Sequence, residues 1–234
     1  MLLSGRQIRL LFILWLATLG SALPLDRHVA LWVQAAHPLN KHGWFAWLVR
    51  LPGNYLFLLV ISGILALCGR RWWRAAVSLV LSGPPVGMAY LLIKWMVGRR
   101  RPIIVIAPFT FHPFMKGLTG LYHSVSGLSF PSGDATMAFA AAACLAAALP
   151  RWWAAFFFAA AVVAAERVLE NAHYVSDVVA GAGLGVACAQ LAVALCVRFL
   201  DLGQADARGF EIQPLRSPLS DSVEAQVRTS SRQS

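Results

Sequence analysis

Six apolar runs without a charged side chain, at residues 10–25, 51–69, 75–93, 135–150, 152–165 and 178–197, constrain this chain more than any other feature. Crossing the ~30 Å hydrocarbon core of a bilayer takes roughly 17 to 25 helical residues, and only helices or closed barrels satisfy their own backbone polar groups there. The runs predict an all-α fold, a polytopic membrane bundle of six transmembrane helices. The run at 152–165 is short by this measure unless Arg151 snorkels and the helix continues past Ala165, which carries Glu166 and Arg167 into the protein. Residues 28–40 are uncharged but too short to span and contain Pro38, so they read as an interfacial helix.

Charge placement sets the topology. The net charge is +10, from 20 basic and 10 acidic residues, and the cations sit at the ends of apolar runs. A soluble nucleic-acid binder spreads its cations over one continuous face, so nucleic acid is a poor partner for this pattern. Arg70, Arg71 and Arg74 share a very short loop, which the positive-inside rule places in the cytoplasm. With six spans both termini are cytoplasmic, Arg6, Arg9, Arg151 and Arg198 lie on the same side, and the loops 98–133 and 166–177 meet on the outer side. Arg99, Arg100, Arg101 and Lys116 then fall outside and need a local reason. A cleaved signal peptide is the rival reading of the first run, but Gly20-Ser21-Ala22 is a weak cleavage site and its removal leaves five spans.

Three regions follow: 1–53, the first span plus the interfacial helix; 54–200, a transmembrane core; and 201–234, a mobile polar cytoplasmic tail with four basic and five acidic groups and no apolar periodicity. Cys68, Cys144, Cys188 and Cys196 fall in or beside apolar runs and form no disulfide or metal pattern.

Outside the tail there are five acidic residues, Asp26, Asp134, Glu166, Glu170 and Asp177, and four of them border the two outer loops. Charges at the edge of apolar helices are costly unless paired or hydrated, so their clustering marks a site. One segment runs from Lys94 to Arg101 and Pro102; seven residues apart, Lys94 and Arg101 can project from one helix face toward one anion, although snorkelling cations are the plainer reading. A second, Phe130-Pro131-Ser132-Gly133-Asp134-Ala135, places a turn before the fourth run, where the free N–H groups of a helix start can hold an anion or simply be capped by Ser132 or Asp134. In the third, His173 and Asp177 lie four apart, so that a helix starting near His173 lets the carboxylate orient the imidazole as a nucleophile. Each is weak alone. Six-span topology brings all three to one end, where Lys94, Arg101, Arg167, a helix N-terminus and an Asp-oriented His amount to a phosphate site.

In order and spacing these segments resemble the type 2 phosphatidic acid phosphatase family, the membrane branch of a superfamily shared with vanadium haloperoxidases. Its signature is K-x6-R-P, P-S-G-H and S-R-x5-H-x3-D. The chain matches it from Lys94 to Pro102, at Pro131-Ser132-Gly133, and from Arg167 through His173 to Asp177, and the resemblance extends over about residues 54–200. It implies an integral membrane lipid phosphatase, with no cofactor and no metal. The implied substrate is a phosphate or diphosphate ester such as a prenyl diphosphate, phosphatidic acid, phosphatidylglycerophosphate or lipid A. It implies that His173 attacks phosphorus and carries a phosphohistidine, that Asp177 holds its tautomer, and that Lys94, Arg101, Arg167, Ser132 and Gly133 bind the phosphate. The implied location is a bacterial inner membrane with the site facing the periplasm or exterior.

Two positions depart from the signature. Asp134 stands where the family has the His that protonates the leaving oxygen, and Glu166 replaces a Ser and gains the option of pairing with Arg167. An aspartic acid donates a proton at neutral pH only if its pKa is raised, and three cations act against that. Three readings stay open: Asp134 as a weak acid catalyst, a diphosphate leaving group that needs no acid, or His123 folding over from the loop. Two other functions also stay open, a lipid-to-lipid phosphotransferase using the same site and a catalytically weakened lipid-binding protein. Arg99, Arg100 and Lys116 are left over as contacts for an anionic lipid headgroup.

Overall fold

The structure is a computed structural model that describes residues 5–36, 43–69, 72–104, 110–114 and 127–209. Among them eight α-helices follow one another: α1 (Gly5–Ala22), α2 (Leu25–Ala36), α3 (Trp44–Arg50), α4 (Tyr55–Leu67), α5 (Trp73–Val97), α6 (Gly133–Ala148), α7 (Trp153–Leu169) and α8 (Val175–Gly209). His123, Lys116, Arg70, Arg71 and residues 210–234 lie outside the described residues.

α5, the stretch Pro150–Leu169 that contains α7, and α8 as far as Arg198 are each long and apolar enough to cross a membrane. α1 with α2 (bent by 56°) and α3 with α4 (bent by 66°) raise the number to five if each bent pair is one crossing. The run at 51–69 does not form a single helix. Pro52 lies in a 3-10 turn, Leu51–Gly53, and the Asn54 side chain accepts a hydrogen bond from the Leu56 N–H at 2.9 Å, starting α4 afresh. α7 does continue past Ala165, so Glu166 and Arg167 are both inside the protein.

The Pro84-Pro85 pair inside α5 leaves carbonyls without helical donors. One of them, Val80 O, four residues before Pro84, accepts a hydrogen bond from the Tyr55 hydroxyl of α4 at 3.0 Å. A neighbouring helix thus supplies what the proline removes, as a chain in hydrocarbon requires.

α6 is the inner helix. It packs on α5 and α7, and its Ala135, Ala138, Ala140, Ala142 and Ala143 are buried together with Thr136 and Cys144. Lipid tails are as apolar as leucine, so close van der Waals packing of small residues, more than hydrophobic burial, is what holds such helices together. α8 shows the device at Gly185, where an added Cβ would lie 2.1 Å from the Thr136 carbonyl oxygen of α6. The large apolar side chains point outward instead, among them Leu14, Leu56, Met88, Phe158 and Leu191, which suits a lipid-facing surface.

Candidate active site

Polar groups from five segments line one cavity of about 500 Å³, among them Arg50, Lys94, Arg101, Asp134, Arg167 and His173. Tyr55, Tyr90, Trp47 and Gly133 complete much of its wall.

Lys94 comes from the last turn of α5, buried and with its Nζ 5.5 Å from the centre of the Tyr90 ring. Arg101 is not its neighbour on one helix face, contrary to the expectation from spacing. α5 ends at Val97, and Gly98, at φ +63, caps it in the left-handed conformation that glycine adopts without strain. Beyond Gly98 the chain runs as an extended strip pinned on both sides: Ser129 N–H donates to Arg99 O, Arg101 N–H to Gly127 O, and Ile103 N–H to Asn171 O. These backbone bonds, with isolated antiparallel bridges Arg99–Phe111 and Arg100–Leu128, deliver Arg101 to the cavity.

His173 is placed by the end of α7. Asn171 takes φ +58, a conformation that asparagine tolerates better than most residues, and the N–H groups of Ala172 and His173 fold back onto the Arg167 carbonyl at 3.2 Å. α8 starts two residues later, at Val175. Asp177, in its first turn, reaches back to accept the Tyr174 N–H at 2.8 Å, the half of a capping box that serves the N-cap residue. The same Oδ2 accepts from the Ser129 hydroxyl, and Oδ1 accepts from Arg99 Nη1 at 2.6 Å. His173 Nδ1 is 3.6 Å from Asp177 Oδ2, too far for a hydrogen bond and close enough for electrostatic attraction. Resting sites often hold such pairs loosely. Burial holds the His173 imidazole below its ordinary pKa, Asp177 works in the opposite direction, and Lys94 and Arg101 add to the lowering. The resting imidazole is neutral at pH 7, the form that a nucleophile needs.

Ser132 precedes α6 and is fully buried; its Oγ accepts from Ala135 N–H at 3.4 Å, so the side chain caps the helix, and it is not among the residues lining the cavity. Gly133 and Asp134 do line it. Asp134 Oδ2 lies 3.0 Å from Arg167 Nη1, with the aspartate side chain 39% exposed. Glu166 is paired with Arg167 at 3.1 Å and with Arg50 at 2.9 Å, while Glu170 contacts both arginines.

Arg99 requires a correction. It is not a headgroup contact on the surface but 1% exposed, stacked 4.1 Å from the Tyr174 ring and bonded to Asp26, Ser176 and Asp177. Arg100 is the exposed member of the triplet. Arg50 and Asp26 carry no motif and are contributed by helices remote in sequence, and Tyr90 lies one turn before Lys94 on α5 without being part of a motif; the only advance signal was that Asp26 is an acid at the edge of an apolar run.

The bundle resembles a solved structure, the first transmembrane PAP2 type phosphatidylglycerolphosphate phosphatase from Bacillus subtilis, with a TM-score of 0.53 and 21% identity over 88% of this chain and 97% of that chain. Among curated proteins no sequence matches the chain significantly. The PAP2 superfamily matches residues 71–200, the stretch that contributes Lys94, Arg101, Asp134, Arg167, His173 and Asp177 to one site. The chain belongs to the PAP2 superfamily.

Proposed function

We propose that the protein is an integral membrane lipid phosphatase acting through His173. The convergence of Lys94, Arg101, Gly133, Arg167 and His173, from three separate signature segments, on one cavity carries this reading. In it, the lone pair of the ring nitrogen facing away from Asp177 attacks phosphorus as the bond to the lipid oxygen breaks, giving a phosphohistidine and a lipid alcohol. Lys94, Arg101 and Arg167 neutralise the equatorial oxygens, which is most of what phosphoryl transfer asks of a protein and needs no metal in this scheme. Asp177 stabilises the positive charge that develops on the ring. Asp134, on the cavity wall, is the residue placed to pass a proton to the leaving oxygen. Water then attacks phosphorus, breaking the P–N bond and returning phosphate and His173.

Counting α6 and both bent pairs as crossings with α5, α7 and α8 gives six, which keeps the site at one end of the bundle. The Cys196 Sγ, 3.7 Å from the Arg74 carbonyl, ties the start of α5 to a late turn of α8 at the other end, with the exposed Arg74. By the positive-inside rule that end is cytoplasmic and the site faces outward, toward the periplasm if the membrane is a bacterial inner membrane.

The name of the structural relative makes phosphatidylglycerophosphate the first substrate to test, beside phosphatidic acid, a prenyl diphosphate and lipid A. The full chain in detergent should release inorganic phosphate from at least one of them, with EDTA present and without an added acceptor alcohol, and vanadate should inhibit. Turnover only with an acceptor would establish a phosphotransferase, and release abolished by EDTA and restored by magnesium would refute the metal-free step.

A further inference from the structure

Behind His173, among residues that do not line the cavity, lies a chain of charges of which the signature contains only Asp177. Asp26, in the first turn of α2, is completely buried. Its Oδ1 accepts the Ser176 N–H at 2.9 Å, and its Oδ2 accepts both the Ser176 hydroxyl at 2.5 Å and Arg99 Nη2 at 2.6 Å. Arg99 Nη1 donates to Ser176 Oγ at 2.7 Å and to Asp177 Oδ1 at 2.6 Å. Asp26 lies outside the matched residues 71–200, and 150 positions separate it from Ser176.

We propose that Asp26 and Arg99 are positioning residues for the nucleophile: a carboxylate–guanidinium–carboxylate chain that locks Asp177 beside His173 and keeps one net negative charge behind the ring. The inference rests on His173 being the nucleophile. Its physical basis is charge arithmetic among side chains that are no more than 1% exposed. Arg99 alone would neutralise Asp177 and remove the field that stabilises a positively charged imidazole. Asp26 cancels Arg99, so the chain carries two negative charges against one positive. Geometry adds to this, because Arg99 holds Asp177 Oδ1 and leaves Oδ2 as the oxygen nearest His173 Nδ1. An isolated buried ion pair is weak evidence of stability, and a hydrophobic replacement often does as well. Electrostatic control of the adjacent ring is what such a replacement could not reproduce.

His173 is also faced by Lys94 of α5, by Arg101 of the extended strip, and across the cavity by Arg50 of α3, Asp134 of α6 and Arg167 of α7. None of these changes when Asp26 or Arg99 is substituted, so the sign of the effect can be assigned. Removing the Asp26 charge disfavours the protonated ring, and removing the Arg99 charge favours it.

The test compares the full chain in detergent with Asp26→Asn, Asp26→Glu, Arg99→Gln and the double variant Asp26→Asn/Arg99→Gln. Two readouts are taken against pH. One is kcat/KM for phosphatidylglycerophosphate, or for whichever lipid the wild type hydrolyses. The other is the rate at which diethyl pyrocarbonate modifies His173, followed by mass spectrometry; it reports the neutral ring whether or not the protein turns over a lipid. Asp26→Asn should move the His173 midpoint to lower pH by about half a unit or more and cut kcat about tenfold with little change in KM. Arg99→Gln should move it to higher pH. The double variant should return to within a few tenths of a unit of wild type, and Asp26→Glu should restore most of the kcat.

An unmoved Asp26→Asn midpoint, or single variants that shift it in the same direction, would overturn the proposal and leave the chain a structural tie. If Arg99→Gln does not fold, the Asp26→Asn and Asp26→Glu pair still decides. Wild type that releases phosphate from no lipid defeats the phosphatase reading separately, because the modification midpoints still report the charge chain.

Discussion

Two groups of charges meet at His173, one behind it and one in front, and they are built by opposite rules. Behind it, Asp26, Arg99, Ser176 and Asp177 are each no more than 1% exposed, and every link among them is a hydrogen bond of 2.5 to 2.9 Å. In front, Lys94 and Arg101 line an open cavity, and among the described residues neither has a carboxylate partner at ion-pair distance. A closed set of charges is assembled by folding and its sum is fixed. An incomplete set, cations beside apolar helices without carboxylate partners, suits an anionic ligand, and on the proposed function that ligand is a phosphate ester. On the proposed function, the difference separates residues that organise the nucleophile from residues that meet the substrate.

The largest effect should come from the residue shared by both. His173→Ala removes the nitrogen that attacks in the proposed mechanism while leaving each charge group intact, and phosphate release should fall about a thousandfold or more. The thermal midpoint of the detergent-solubilised protein should hardly change. A variant that retained a tenth of the wild-type rate would show that His173 is not the nucleophile.

Next in size is the contrast between the groups. Arg99→Met leaves two buried carboxylates uncompensated, and breaking a buried pair in this way costs about 3–5 kcal/mol of stability. Lys94→Met removes a buried cation that has no carboxylate at ion-pair distance among the described residues, so stability should hold or rise, while on the proposed function kcat/KM falls about 100-fold or more as one phosphate contact is lost. Thermal or denaturant unfolding of both variants checks this. Equal destabilisation would erase the distinction between a closed and an incomplete set.

The pH dependence is a smaller effect with a definite sign. The His173 pKa is lowered from the ordinary 6.5, chiefly by burial. The ring therefore stays neutral down to a pH below 6.5, and the acidic limb of kcat/KM should lie below that value. The linked stability has the same sign. The unfolded chain takes up the proton more readily, so stability is full above 6.5 and is lost as pH falls from there through the lowered folded value. An acidic limb above pH 7 would mean that Asp177 outweighs burial and that the two charge groups do not balance as described.

The cavity was more legible in the sequence than the knot behind it, and the reason is range. Lys94, Arg101, Asp134, Arg167, His173 and Asp177 fall within three short segments whose internal spacing can be compared with a pattern. The all-α class was equally plain, because charge-free runs record burial in lipid directly. Arg99 paired with Asp26 spans 73 positions and Arg50 with Glu166 spans 116, and no periodicity links such residues. Where local spacing was pressed into three dimensions it misled. Lys94 and Arg101 do meet the same cavity, but Gly98 ends the helix between them and backbone pairing with residues 127–129 positions Arg101. Run counting likewise passed over the break at Pro52 and Asn54, because a capping side chain and a proline change backbone direction without changing hydropathy.

The smallest predicted effect concerns the one acid that crosses the boundary between closed and incomplete. Asp134 lies 3.0 Å from Arg167 yet is 39% exposed on the cavity wall, so its carboxylate occupies part of the guanidinium that a phosphate would use. A partly exposed pair of this kind is worth about 0.2–1 kcal/mol, which limits what an incoming anion must displace. Asp134→Asn should therefore tighten vanadate binding by a factor of about 1.5 to 5. Vanadate is the right probe because it has no leaving group to protonate, so any loss of acid catalysis in the same variant appears in kcat and not in the affinity. Weaker vanadate binding would show that the Asp134 carboxylate helps to hold Arg167 in place for the phosphate, which would move Asp134 from the cavity's occupant to part of its frame.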